Sequence, residues 1–220
     1  MLLVPFSSLG IEKFGGKNTK SYGYSAKVLV HEMTHQAMGE WLAWMPKWVA
    51  EGMAEYAAQT TYRNGVFYTS AKDRVVAMKQ RLEVVRMALG GEGKPLVMLP
   101  SEVMAAPESA WTTEGKSGEE SLAVHRMYVS SMLLMHYYLH LADKGEARRI
   151  RWYFQELEKV NRYFRTDGKE GALPEGLWER GRVEREAVRA HFLKLLEDPA
   201  GPGALDADFK ARYAALGVRL

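Results

Sequence analysis

Cysteine is absent from the 220 residues, which excludes disulfides, thiolate metal ligands and a cysteine nucleophile. Any metal site in the chain therefore draws on histidine and carboxylate alone. A surplus of one charge is also missing. The 30 Lys and Arg face 27 Asp and Glu, for a net +3, and bases alternate with acids as in Glu184-Arg185-Glu186. Without a basic stripe, no nucleic-acid partner is expected. Long apolar runs are lacking too: Val129 to Ala142 falls short of the ~20 residues a spanning helix needs and contains His136 and His140. It reads as a buried helix, and no membrane span is expected. The opening Met1-Leu2-Leu3-Val4-Pro5 has no basic segment and reads as no secretory signal, so an exported form would need one ahead of Met1 and localisation stays open. Internal repeats and low-complexity tracts are absent. What remains, 47% hydrophobic and 26% charged residues, supports one domain with a hydrophobic core.

Periodicity predicts a mainly α chain. Residues 1 to about 24 mix β-favouring residues with glycine and read as one or two short strands and loops. From Ser25 the positions Val28, Leu29, Met33, Ala37 and Met38 recur at helical spacing, with Gly39 placed to end the helix. A second helix follows Pro46 and carries Trp48, Val49, Ala50, Met53 and Ala54 to about Gln59. A short strand is expected at Val66 to Thr69 after the turn Asn64-Gly65, and a long helix from about Ala71 to Leu89. Glycine and proline mark residues 90 to 118 as a long connection with a short helix after Ser101. Ser117 and Glu120 form a capping-box signature for a helix to about Ala142. Further helices are expected at 146–161, 175–197 and 206–215, the last opened by Asp206 and closed by Gly217.

The first helix contains His31-Glu32-Met33-Thr34-His35, an HExxH pattern with a chance expectation of about 0.015 occurrences in a chain holding six histidines. Helical residues four apart share a face, so both imidazoles reach one Zn²⁺ while Glu32 stands beside the metal, free to handle water. A catalytic zinc needs a third protein ligand and an open position. Glu51, on an otherwise apolar helix, supplies that ligand, because a carboxylate buried there calls for a cation. Two histidines on an ordinary core helix are the alternative to this metal reading.

The segment Trp48-Val49-Ala50-Glu51-Gly52-Met53-Ala54-Glu55-Tyr56 after HExxH resembles the gluzincin metallopeptidases, both the aminopeptidase N-like enzymes and the bacterial peptidase MA-like domains. The fifteen residues between His35 and Glu51 are fewer than in the aminopeptidases, so the peptidase MA-like branch is the nearer likeness. That resemblance implies a zincin-like fold with a small N-terminal β element and a helical C-terminal lobe. Residues 1–70 would form the zinc-binding lobe and residues 71–220 the helical lobe of one catalytic domain. It also implies one Zn²⁺ per chain on His31, His35 and Glu51, with Glu32 as the base that deprotonates a zinc-activated water. Glu55 is implied to orient a zinc-binding imidazole. On the later helix Tyr128, Ser131, Leu134 and Tyr137 resemble the family segment whose tyrosine stabilises the oxyanion, which assigns that role to Tyr128, with Tyr137 and Tyr138 as competitors.

The function expected is zinc-dependent hydrolysis of a peptide or protein substrate. Endopeptidase action is the default, because the Gly-x-Met-Glu-Asn segment that holds a substrate amino terminus is missing. A non-catalytic, zinc-stabilised module that binds a peptide or protein is the alternative. His125, His136 and His140 read as structural or supporting residues, and Trp41, Trp44 and Trp48 as core. None of these features sets the oligomeric state.

Overall fold

The structure is a computed structural model that describes residues 22–63, 66–68, 70–88, 97–111, 118–174 and 185–220. It is mainly helical. Helix α1 (Tyr22–Met38) ends where Gly39 takes φ +47°, a conformation that glycine adopts without penalty, and a 3₁₀ turn follows (Gly39–Ala43). Pro46 then caps α2 (Lys47–Ala58) with extended backbone. The hairpin β1 (Thr61–Arg63) and β2 (Val66–Tyr68) pairs antiparallel, Thr61 opposite Tyr68 and Arg63 opposite Val66. Helix α3 (Ala71–Ala88) opens with Ser70 Oγ accepting the Asp73 N–H at 3.2 Å. Helix α4 (Pro100–Ala105) is followed by a 3₁₀ turn at Glu108–Trp111. Then come α5 (Gly118–His140), α6 (Arg148–Arg165), α7 (Arg185–Leu193) and α8 (Pro202–Ala215).

Helix α5 is the axis of the core. Val129 to Tyr138 are buried without a break, a helix covered on every side. By contrast α6 buries Ile150, Tyr153, Leu157 and Val160, with Asn161 beside them, one stripe of an amphipathic helix. The main packing partner of α5 is α2, and α1 in turn lies along α2. The α2–α5 approach runs through Gly52: a Cβ there would lie 2.6 Å from the Ser131 carbonyl oxygen, so the backbones come as close as only glycine allows.

The structure corrects several expectations. Helix α1 already covers residues 22–24, which were expected to be strand or loop, while residues 1–21 and the Ser117 cap lie outside the described residues. Strand β1 was not expected, although an Asn-Gly hairpin turn demands a strand on each side. Asp206 does not open α8. Gly201 with φ +94° and Pro202 begin that helix, because proline's fixed φ and missing N–H suit its first turn. The Asp206 carboxylate instead accepts from Ser101 N at 3.0 Å and Ser101 Oγ at 2.6 Å, tying α8 to the start of α4. Gly217 closes α8 at φ +63° as expected.

Candidate metal centre

The i, i+4 spacing on α1 brings His31 Nε2 and His35 Nε2 to 3.1 Å of each other. From α2, Glu51 Oε2 approaches each of them to 3.3 Å. These three residues form the group among the described residues whose ligand atoms converge closely enough to hold a metal ion. In a tetrahedral zinc shell with bonds of ~2.0–2.1 Å, adjacent ligand atoms lie about 3.3–3.4 Å apart. The two distances to Glu51 match that spacing, and the two histidine nitrogens stand slightly closer together. Two imidazoles and one carboxylate also match the donor set of zinc sites that keep one position open. Glu51 is 5% exposed on a helix face otherwise filled by Trp48, Val49, Ala50 and Ala54, so its charge has to be met by the groups around it.

A ring of charged residues surrounds the three. Lys47, one turn before Glu51, lies 3.3 Å from Oε1 and leaves Oε2 to the histidines. Glu55, one turn after, places Oε1 at 3.5 Å from His31 Nδ1, and Arg81 of α3 lies 3.5 Å from its other oxygen. This is where a carboxylate that orients a metal-binding imidazole belongs. Burial alone would lower the His31 pKa, but Glu51 and Glu55 outweigh it and raise it to about 9. Burial pushes the Glu51 carboxyl up, yet His31, His35 and Lys47 hold it well below the usual carboxylate range. The same contest leaves Glu55 lowered, with burial opposed by His31 and Arg81.

A pH dependence follows for the metal-free protein. His31 is raised on folding, so its contribution is complete below its unfolded pKa of ~6.5 and is lost as pH climbs through about 9. Glu51 and Glu55 are depressed, so theirs is present above ~4.5 and fails only in acid. Chelator-treated protein is expected to lose several degrees of Tm between pH 6.5 and 9.5. In His31→Gln that slope should flatten; an unchanged slope rejects the assignment. Zinc loading should release protons at neutral pH, because it requires the imidazole to be neutral, and calorimetry in buffers of different ionisation enthalpy measures that release.

Two cavities flank the cluster, one of about 520 Å³ and one of about 360 Å³. His31, Glu32 and Tyr128 line both, so they stand at the divide between them. The Tyr128 ring centre lies 6.3 Å from that of His31. Its hydroxyl donates to the Trp111 carbonyl at 3.4 Å, a long bond, and Trp111 packs edge-on against the ring. Burial together with Glu51, Glu55 and Glu32 pushes the phenol up to about 12, which keeps it protonated at neutral pH. Tyr137 and Tyr138 are fully buried and bond to Asp208 and to the Leu196 carbonyl, so Tyr128 is the tyrosine of the three that borders the cavities.

His136, buried, and His140, half-buried, stand apart from the His31, His35 and Glu51 group in a polar network of their own. His136 Nδ1 pairs with Tyr213 Oη at 2.9 Å, and His140 Nε2 with Tyr56 Oη at 2.7 Å and with Arg74 at 2.9 Å. Burial, with His140 and Arg74 nearby, lowers the His136 pKa to about 3, so it remains neutral. Trp44 and Trp48 are core, and Trp41 borders it with Nε1 donating to Glu158 at 2.8 Å. Lys27, Arg81, Lys47 and Arg189 line the two cavities and were not singled out in the sequence, since isolated cations on helices carry no local signature of a shared destination. His125, read above as structural, borders the larger cavity one turn before Tyr128. The chain matches no protein-family model, no curated protein and no solved structure.

Proposed function

We propose that the protein is a zinc-dependent peptidase of gluzincin type with a zincin-like fold, acting on a peptide or protein, and that it holds one ion per chain through His31, His35 and Glu51. The observation that carries this reading is the 3.1–3.3 Å triangle of His31 Nε2, His35 Nε2 and Glu51 Oε2, set beside Glu32 and Tyr128 at the divide of two cavities. The chemistry such an ion supplies when bound is acidification of water and polarisation of a carbonyl. Glu32 accepts the proton as water attacks the amide carbon, and returns it to the nitrogen as the carbon–nitrogen bond breaks. Amide and water thus become carboxylate and ammonium, both protons of the water ending on the nitrogen. Tyr128 donates a hydrogen bond to the carbonyl oxygen as it gains negative charge, which its uncharged phenol can do at neutral pH. In this reading the two cavities would take the peptide on either side of the scissile bond.

Elemental analysis of protein purified without chelator tests the metal, and digestion of a peptide library by the same sample tests the reaction. The expected stoichiometry is near one zinc per chain, lost in His35→Ala together with cleavage. Stoichiometry near zero, or metal content unchanged in His35→Ala, rejects the site. Zinc without cleavage of any library member favours the peptide-binding module.

A further inference from the structure

The larger cavity contains positive charge for which the chemistry above has no use. Lys27 stands one turn before His31 on α1, and Arg81 comes from α3; both line the cavity. They interact with the same carboxylate, Glu55: Arg81 at 3.5 Å and Lys27 through charge alone. Glu55 is also committed to His31. The Lys27 ammonium donates instead to the neutral Gln59 Oε1 at 2.9 Å, and Arg81 Nε is buried without a hydrogen-bond partner. Each cation carries several N–H donors, and the acceptors described here engage one on each. The other carboxylate on this cavity, Glu32, belongs to the reacting centre.

In the smaller cavity each cation has an acid of its own. Lys47 pairs with Glu51, while Arg189, whose Nε is likewise buried without a hydrogen-bond partner, pairs with Glu108 and donates to the Ala43 carbonyl at 3.2 Å. The unmatched charge therefore lies on one side of Glu32 and Tyr128. It amounts to two cations sharing one acid, an excess that a single monoanion satisfies. Val28, Ala58 and Val84 give the wall an apolar part that suits the methylenes that would carry such a group.

We propose that the larger cavity is a subsite for a peptide carboxylate held by Lys27 and Arg81, making the substrate an acidic peptide. The substrate class rests on the peptidase reading; the carboxylate subsite itself does not. Two sources share this chemistry, an Asp or Glu side chain near the scissile bond and a free C-terminus.

The zinc-loaded Glu32→Gln chain, expected to bind peptide without cleaving it, distinguishes them by calorimetry. One arm uses N-acetylated, C-amidated octapeptides with Glu moved through each position of a Gln-based sequence. The other compares the all-Gln peptide with and without a free C-terminal carboxylate. One arm should contain a peptide that binds about ten- to a hundredfold tighter than its neutral counterpart, the usual range for a hydrogen bond to a charged group. Adding Lys27→Gln should abolish that gain, and Lys27→Arg should restore it, with zinc content and Tm unchanged in both. Equal binding of acidic and neutral peptides, no binding at all, or a gain that survives Lys27→Gln overturns the subsite. Cleavage by the unsubstituted protein separates the two ideas. Acid-dependent binding without hydrolysis retains the subsite and rejects the peptidase; hydrolysis indifferent to acid does the reverse.

Discussion

Glu32→Gln is expected to retain its zinc and lose peptide hydrolysis by about 10²–10⁴-fold, the range supplied by a positioned general base. The amide keeps the shape of the side chain, so packing is preserved while proton acceptance disappears. Glu32 sits between the two histidines on α1 and lines both cavities, yet it is not one of the three converging residues that could hold a metal. Metal content should therefore stay near one ion per chain. Zinc and cleavage have to be measured on one preparation, because loss of both together would mean that the substitution disturbed the metal centre. Equal cleavage by variant and parent would show that Glu32 is not the base, or that the activity belongs to a contaminant.

Tyr128→Phe is expected to lower kcat by about 10²-fold, the usual cost of removing one hydrogen-bond donor to a developing oxyanion. Since the interaction forms mainly in the transition state, kcat and kcat/KM should fall together. Stability should change little. The only described bond of the hydroxyl is the 3.4 Å contact with the Trp111 carbonyl, and the ring that packs against Trp111 is retained in phenylalanine. A tyrosine serving packing alone would give the opposite result, a lower Tm with nearly normal kcat. Zinc content separates this variant from one that damages the site, because Tyr128 provides none of the converging atoms.

Local repetition made the helices and two of the three converging residues legible. The i, i+4 geometry of one helix places His31 beside His35 in any fold that keeps α1 helical. The need of a buried carboxylate for a cation singled out Glu51 on its apolar helix. Gly39, Pro46 and Gly217 marked helix ends because glycine and proline act on their own backbone, whatever surrounds them. Asp206 was misread for the converse reason: its side chain serves Ser101, far away in the chain, and nothing next to it records that bond.

Only tertiary packing decided the rest. The 3.3 Å between Glu51 and each histidine depends on how α1 lies along α2, and α2 is seated by the contact of Gly52 with the Ser131 backbone on α5. The motif marks that glycine as part of a pattern; the approach of α5 gives its physical reason. Likewise Lys27 of α1 and Arg81 of α3 meet around Glu55 of α2, and each of those two cations alone resembles an ordinary helix-surface charge. Helical periodicity is fixed by bonds four residues apart and can be read in a short window. Contacts among elements tens of residues apart are set by which surfaces fill the same space, and no short window of sequence contains them.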